Sequence, residues 1–231
     1  MRIAALILCL AVRCCFAGDL SSPEFLACLL PAAAAAPAAT NIFQENFEGP
    51  GYQQSNANGW TDVTSAIDED YAGTPKLEGD QACRIAPSEF VFAPAPIAPR
   101  DEYYFKFRIR PNTLDNTFQF TLSRTGVDDC NIKLQTDGLW IVTHGSIGLA
   151  TGSTVLVPGT EYFVWGRWVK GSGANGIIQL WVSTVNSLPG APEIDANTGN
   201  GVNQPNLITI QGGNNTDVVI DEIQLRASPI P

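Results

Sequence analysis

Histidine and methionine are almost missing from this chain of 231 residues: His144 is the single His and Met1 the single Met. Basic residues are scarce too, 13 Lys plus Arg against 23 Asp plus Glu, for a formal net charge of −10. Without a basic run there is no footprint for a phosphate backbone, which excludes nucleic acid as a partner. With one His and no C-x-x-C pair, a zinc centre of ordinary ligand spacing is excluded as well. No G-x-S-x-G elbow supports serine-hydrolase chemistry. The glycine-rich GSGANG (171–176) lies between two strand-like runs, which fits a hairpin turn and not a phosphate loop. No apolar run reaches the roughly 18–20 residues of a membrane span. Beyond residue 40 no segment holds a 3.6-residue stripe over the length of an ordinary helix.

What is present is apolar and heavily punctuated. Hydrophobic residues make up 45% of the chain and charged ones 16%, too apolar for disorder, while 21 Gly and 16 Pro break it into short pieces. The first forty residues differ from the rest. IAALILCLAV (3–12) follows Arg2, and FLACLLPAAAAAPAAT (25–40) ends in repeated Ala-x-Ala, the small-residue pattern that signal peptidases cut. Residues 1–39 are therefore expected to be an export leader cut near Ala36 or Ala39, and the mature protein to be secreted or held at the cell surface. Cys9, Cys14, Cys15 and Cys28 would leave with it. Cys83 and Cys130 would stay, and in an exported chain they are expected to form a disulfide worth roughly 4 kcal/mol, the alternative being two separate buried thiols.

Along 41–231 the period is two. In EYYFKFRIRP (102–111), Tyr103, Phe105, Phe107 and Ile109 alternate with Tyr104, Lys106, Arg108 and Arg110; in NTFQFTLSR (116–124), Phe118, Phe120 and Leu122 alternate with Gln119, Thr121 and Ser123. Each run has one core face and one polar face, as in an antiparallel sheet with one side on the core. Similar runs at 42–47, 81–86, 131–136, 139–144, 153–158, 161–170, 176–184, 206–211 and 217–226 predict about a dozen strands in one all-β domain over 40–231, a sandwich or barrel. Two Pro/Gly-rich stretches, 92–101 and 187–205, predict loops.

The order ENFEG (45–49), GW (59–60), DEDY (68–71), LEGDQACRI (77–85), EYYFKFRIRP, EYFVWGRWVKGSGANGIIQLWVS (161–183) and VVIDEIQLR (218–226) resembles the laminin-G-like, concanavalin A-like jelly rolls of exported bacterial and environmental proteins. The resemblance implies an antiparallel two-sheet sandwich with its first and last strands side by side. It also implies a choice among lectins, glycan-binding modules, adhesins, glycosidases and polysaccharide lyases, because one fold serves many tasks. Jelly rolls of this kind often hold calcium near the paired terminal strands, which points to Glu45, Glu48 and Asp221 as ligands of a structural ion.

Catalytic chemistry finds little support in the sequence. Glu193-Ile194-Asp195 is similar to the start of the E-x-D-x-E or E-x-D-x-x-E signature of laminarinase-like glucanases, but Asn197 and Thr198 stand where the general acid belongs, and the segment falls in a predicted loop. The R-x-E-x-R and Q-I-H patterns of alginate-lyase-like enzymes are absent, and His144 falls at a predicted strand end. Asp68-Glu69-Asp70 fails as an EF loop, since Ala72 and Gly79 occupy ligand positions. No hydrolase or lyase activity is expected.

Sugar binding is the stronger expectation. Alternation turns Tyr104, Lys106, Arg108, Gln119, Gln179 and Trp181 outward, with Arg167 of ambiguous parity, and aromatic platforms beside amides and guanidinium groups are what sugar faces and hydroxyls require. Lys106, Arg108 and Arg110 would add a local cationic strip. The sequence thus predicts an exported, non-catalytic carbohydrate-binding or adhesion module whose partner is a polysaccharide or cell-surface glycan. The alternatives are a structural surface or virion protein without a sugar site, and a polysaccharide lyase or glycosidase-like enzyme.

Overall fold

The computed structural model describes residues 41–45, 47, 61–62, 77, 82–85, 90–92, 97, 99–115, 117–124, 127–144, 147–171, 175–199, 204–213 and 215–231. The expected leader, residues 1–39, lies outside the described residues, as do Glu48 and the DEDY segment. Every regular element among the described residues is a strand, and every strand pair is antiparallel.

The described strands form two seven-stranded sheets. The first runs β1 (Asn41–Glu45), β14 (Thr216–Arg226), β5 (Glu102–Leu114), β10 (Tyr162–Val169), β11 (Gly176–Ser183), β12 (Ile194–Gly199), with β3 (Cys83–Ile85) also paired to β14. The second runs β2 (Thr61–Asp62), β4 (Phe90–Phe92), β13 (Leu207–Gly212), β6 (Phe118–Arg124), β7 (Val127–Leu134), β8 (Trp140–His144), β9 (Ile147–Thr151). First and last strands are neighbours, Glu45 standing opposite Ile223.

Period-two alternation builds the core. Tyr103, Phe105, Phe107 and Ile109 of β5, Phe118, Phe120 and Leu122 of β6, and Ile178, Leu180 and Val182 of β11 are all buried in one cluster. The Phe107 and Phe120 rings, from opposite sheets, lie 4.8 Å apart, and Trp140 meets Phe107 edge-on at 6.2 Å. In β10 a glycine decides which side chains face inward. A Cβ on Gly166 would lie 1.8 Å from the Phe105 ring, so Gly166 must face the core, with Val164 and Trp168 beside it. Phe163, Trp165 and Arg167 are thereby turned outward.

In β14 a bulge changes the parity. The pairing with β5 slips between Asp221 and Gln224, and Glu222 takes a φ of 48°. Val218 and Ile220 reach the core before the slip, Ile223 and Leu225 after it.

Two sequence expectations are corrected. The segment after Pro192 is not a loop throughout: Ile194 opens β12, pairing opposite Leu180, because Ile194 and Ala196 alternate into the core inside a stretch of turn-like composition. Conversely, STVLVP (153–158) is not a strand, and the strand lies just before it, at Ile147–Thr151. Leu156 is buried and its N–H donates to Gly138 O at 2.8 Å, while Val155 and Val157 are exposed, so the segment closes over a turn and joins no ladder.

Candidate functional site

The outer face of the first sheet gathers six of the seven residues expected to contact sugar. Strand register sets them in rows, since residues directly opposite share a face. One row runs Arg226, Tyr104, Arg167, Gln179, Asp195 across β14, β5, β10, β11 and β12. The next runs Gln224, Lys106, Trp165, Trp181, and a third carries Arg108, Phe163 and Ser183. From Tyr104 to Asp195 the first row spans three strand spacings, about 14 Å.

Side chains of the first row are tied into one chain of hydrogen bonds. The Tyr104 hydroxyl and Arg167 Nε both donate to Glu102 Oε1, each at 2.7 Å. Arg167 Nη1 donates to Gln179 Oε1 at 3.4 Å, and Gln179 Nε2 donates to Asp195 Oδ2 at 3.2 Å. The guanidinium also lies 5.8 Å from the Tyr104 ring centre. Burial pushes the Glu102 carboxyl up, but the hydrogen bonds from Tyr104 and Arg167 outweigh it and hold the group below its ordinary value. Burial, and then the Glu102 carboxylate it donates to, push the Tyr104 phenol up. Tyr104 is thus held as a hydrogen-bond donor.

On β10 and β11 the second row is aromatic. Phe163, Trp165 and Ile230 form a satellite cluster on this face, with Tyr104 and Trp181 packed against it. Trp165 and Trp181 stand directly opposite each other; Trp165 is buried, whereas Trp181 is half-buried and alternates with the core residues Leu180 and Val182.

The expected cationic strip is not available to a ligand. Lys106 is only 6% exposed; its Nζ donates to Asn186 Oδ1 at 2.6 Å and sits 5.4 Å from the Trp165 ring centre. Arg108 donates to Glu161 Oε1 through Nε at 2.9 Å, bonds Leu77 O, and lies 3.6 Å from Glu222. Arg110 is 2% exposed. Carboxylates take up Arg108, while Lys106 is held by an amide oxygen and an aromatic ring. Gln119 leaves the group altogether: β6 belongs to the second sheet, where Gln119 Nε2 donates to Thr121 Oγ1 at 2.9 Å. Alternation fixes the face of a sheet and not which sheet, so sequence alone merged two surfaces.

Three residues that the polar row and the aromatic pair depend on escaped the sequence-based selection. Asp195 was weighed only as part of the incomplete glucanase-like signature in a predicted loop. Trp165 became legible once Gly166 fixed the parity of β10, and Glu102, first residue of the alternating run, shares the parity of Tyr104 but was passed over.

Each of the two described residues of the expected calcium set has one carboxylate oxygen engaged by a backbone N–H. Glu45 Oε1 accepts the Phe47 N–H at 2.8 Å, and the fully buried Asp221 accepts the Glu222 N–H through Oδ1 at 2.7 Å. Among the described residues no three carboxylate, His or Cys groups come together, and calcium wants six to eight oxygens. Cys83 is buried on β3; Cys130 lies on β7 of the other sheet, its side chain outside the described residues. His144 ends β8, as expected, and its side chain is likewise outside them.

No family model matches the chain, and no curated protein matches it in sequence. Solved structures do match in fold. An endo-β-1,4-glucuronan lyase from the fungus Trichoderma reesei aligns with a TM-score of 0.54 at 12% identity, over 82% of this chain and 96% of its own. The carbohydrate-binding module CBM66 from Bacillus subtilis aligns at 0.51 and 10% identity, over 73% and 96%. The calcium-bound exoplasmic/lumenal domain of VIP36 aligns at 0.54 and 12%, over 85% and 94%. At these identities the likeness establishes an antiparallel jelly-roll sandwich and nothing about the site.

Proposed function

We propose that the protein is an exported, non-catalytic carbohydrate-binding module whose binding surface is the outer face of the first sheet. One observation carries this: the continuous row Tyr104, Arg167, Gln179, Asp195, with Glu102 behind it, runs beside the Trp165–Trp181 pair. Fixed donors and acceptors next to an aromatic floor are suited to the hydroxyls and the C–H face of a sugar. Because Arg167 is already paired with Glu102, and Asp195 adds a further carboxylate, the row favours neutral or weakly acidic polysaccharides over strongly anionic ones. Three of the fold neighbours are a carbohydrate-binding module, a glucuronan lyase and an alginate lyase, which supports a sugar-related task for the sandwich. The non-catalytic reading is favoured by Tyr104, the aromatic hydroxyl of the row, being engaged as a hydrogen-bond donor to Glu102.

In the same proposal, residues 1–39 are the export leader, 40–231 the mature domain, and Cys83 and Cys130 its disulfide. A calcium ion at Glu45, Glu48 and Asp221 would act on the junction of β1 and β14, and so on stability rather than on the sugar face. The decisive experiment is a glycan array on the mature domain, with and without calcium, followed by titration of the best hits. Binding that is lost in Arg167→Ala and Gln179→Ala, in variants that melt cooperatively, supports the proposal; no glycan bound, or depolymerisation of a bound polysaccharide, overturns it.

A further inference from the structure

After β14 the chain reads Ala227-Ser228-Pro229-Ile230-Pro231 and turns back onto the outer face of the first sheet. Ile230 is 4% exposed and packs with Phe163 and Trp165. Pro229 and Ile230, with Leu188 from the segment between β11 and β12, close over Tyr104, Trp165 and Trp181. The gap beneath them measures about 40 Å³. A cavity needs roughly 10–15 Å³ to admit a water, so this one has room for a water or two and none for a sugar ring.

What holds the segment in place is its apolar contact. Pro229 and Pro231 have no N–H to give, so the segment cannot extend the sheet as a paired strand. Among the described residues no hydrogen bond or ion pair fastens Pro229–Pro231. An aliphatic group seated on aromatic side chains, without directional bonds, is chemically what the C–H face of a pyranose would be in the same place. The polar row begins beside it: Tyr104 lines the gap and also donates to Glu102.

We infer that Pro229 and Ile230 are an intramolecular plug on a sugar-stacking subsite formed by Trp165, Trp181 and Tyr104, and that a pyranose ring of a neutral polysaccharide displaces them. This rests on the proposed carbohydrate-binding role of the same face and adds its regulation: the plug lowers affinity in the free protein, because a ligand must first uncover the floor. It also names the neutral ring, bound through its C–H face, as the group that enters.

The test compares the full chain with a form truncated after Ser228 and with Ile230→Ser, each titrated with laminarin, xylan and galactomannan. Thermal melts report whether each form is folded, and the point substitution serves where the truncation does not fold. Removing the plug is expected to tighten binding about tenfold or more and to make tryptophan fluorescence more sensitive to acrylamide before ligand is added. After ligand, the quenching of plugged and unplugged forms should converge. Equal affinity in all three forms overturns the plug while leaving the glycan role standing. No binding by any of the three forms overturns both.

Discussion

Trp165 and Trp181 face each other directly across β10 and β11, yet only one of them keeps access to solvent: Trp165 is 2% exposed, packed with Phe163 and Ile230, while Trp181 is half-buried. The pair should therefore separate under substitution. Trp181→Ala should weaken polysaccharide binding by about 1–3 kcal/mol with little loss of stability. Trp165→Ala should destabilise the fold by about 3–5 kcal/mol, the range for a buried aromatic. Titration calorimetry beside urea unfolding checks both; equal binding losses from equally stable variants would contradict the assignment.

Glu102 sets the acid limit of the row. Its folded-state pKa is depressed, so the stabilisation it supplies is fully present above the ordinary value of 4.5 and is lost as the pH falls through the folded value below that. Tyr104 and Arg167 then lose their common acceptor. Because the Arg167–Glu102 pair is partly exposed, its loss should change binding by no more than about fivefold, in line with the 0.2–1 kcal/mol of such pairs. Glycan affinity measured from pH 7 to 3.5 should hold flat and then drop, and Glu102→Gln should remove the drop.

The sandwich was legible because its core strands alternate without interruption: Tyr103 to Ile109 and Phe118 to Leu122 need only a period of two to declare a face. The face of β14 was harder, since the bulge at Glu222 shifts the inward positions from even to odd numbers within one strand. Local pattern is equally blind to sheet membership, and so Gln119 was grouped with Tyr104 although the core lies between them. Charge misled for a different reason. Lys106 and Arg108 do point outward, but Asn186, Glu161 and Glu222, distant in sequence, come back to engage them. The covering of Trp165 by Ile230 is likewise a contact between segments far apart in the chain, which no local rule reports.

Gly166 should be intolerant of even one methyl. The Phe105 ring that occupies its missing side chain is itself hemmed in by Phe107 at 6.4 Å and Phe120 at 5.4 Å, so it has nowhere to move. Gly166→Ala should cost about 3 kcal/mol, the upper end of ordinary overpacking, and lower the thermal midpoint by roughly 6–12 °C for a domain of this size. Gly190, where an added Cβ meets nothing within 4 Å, is the control and should change stability by less than about 0.5 kcal/mol.

Glu193 should make the fold less stable at neutral than at mildly acid pH. It lies just before β12, and its Oε1 is buried without a hydrogen-bond partner, in space left open by Gly152, where a Cβ would come within 2.4 Å of that oxygen. Burial pushes its carboxyl up, and hydrogen bonds from Thr154 only partly offset this. With the folded pKa above the unfolded one, the stabilising contribution is fully present below the ordinary value of 4.5 and is lost as the pH rises through the folded value. Glu193→Gln keeps the shape and removes the buried charge. It should raise the midpoint at pH 7 by roughly 2–4 °C, equivalent to about 1 kcal/mol, and leave it nearly unchanged at pH 4. Scanning calorimetry of both proteins at the two pH values decides the matter. A variant equally destabilised at both would mean that the Glu193 carboxyl matters through its hydrogen bonds and shape and not through its charge, which would overturn this account.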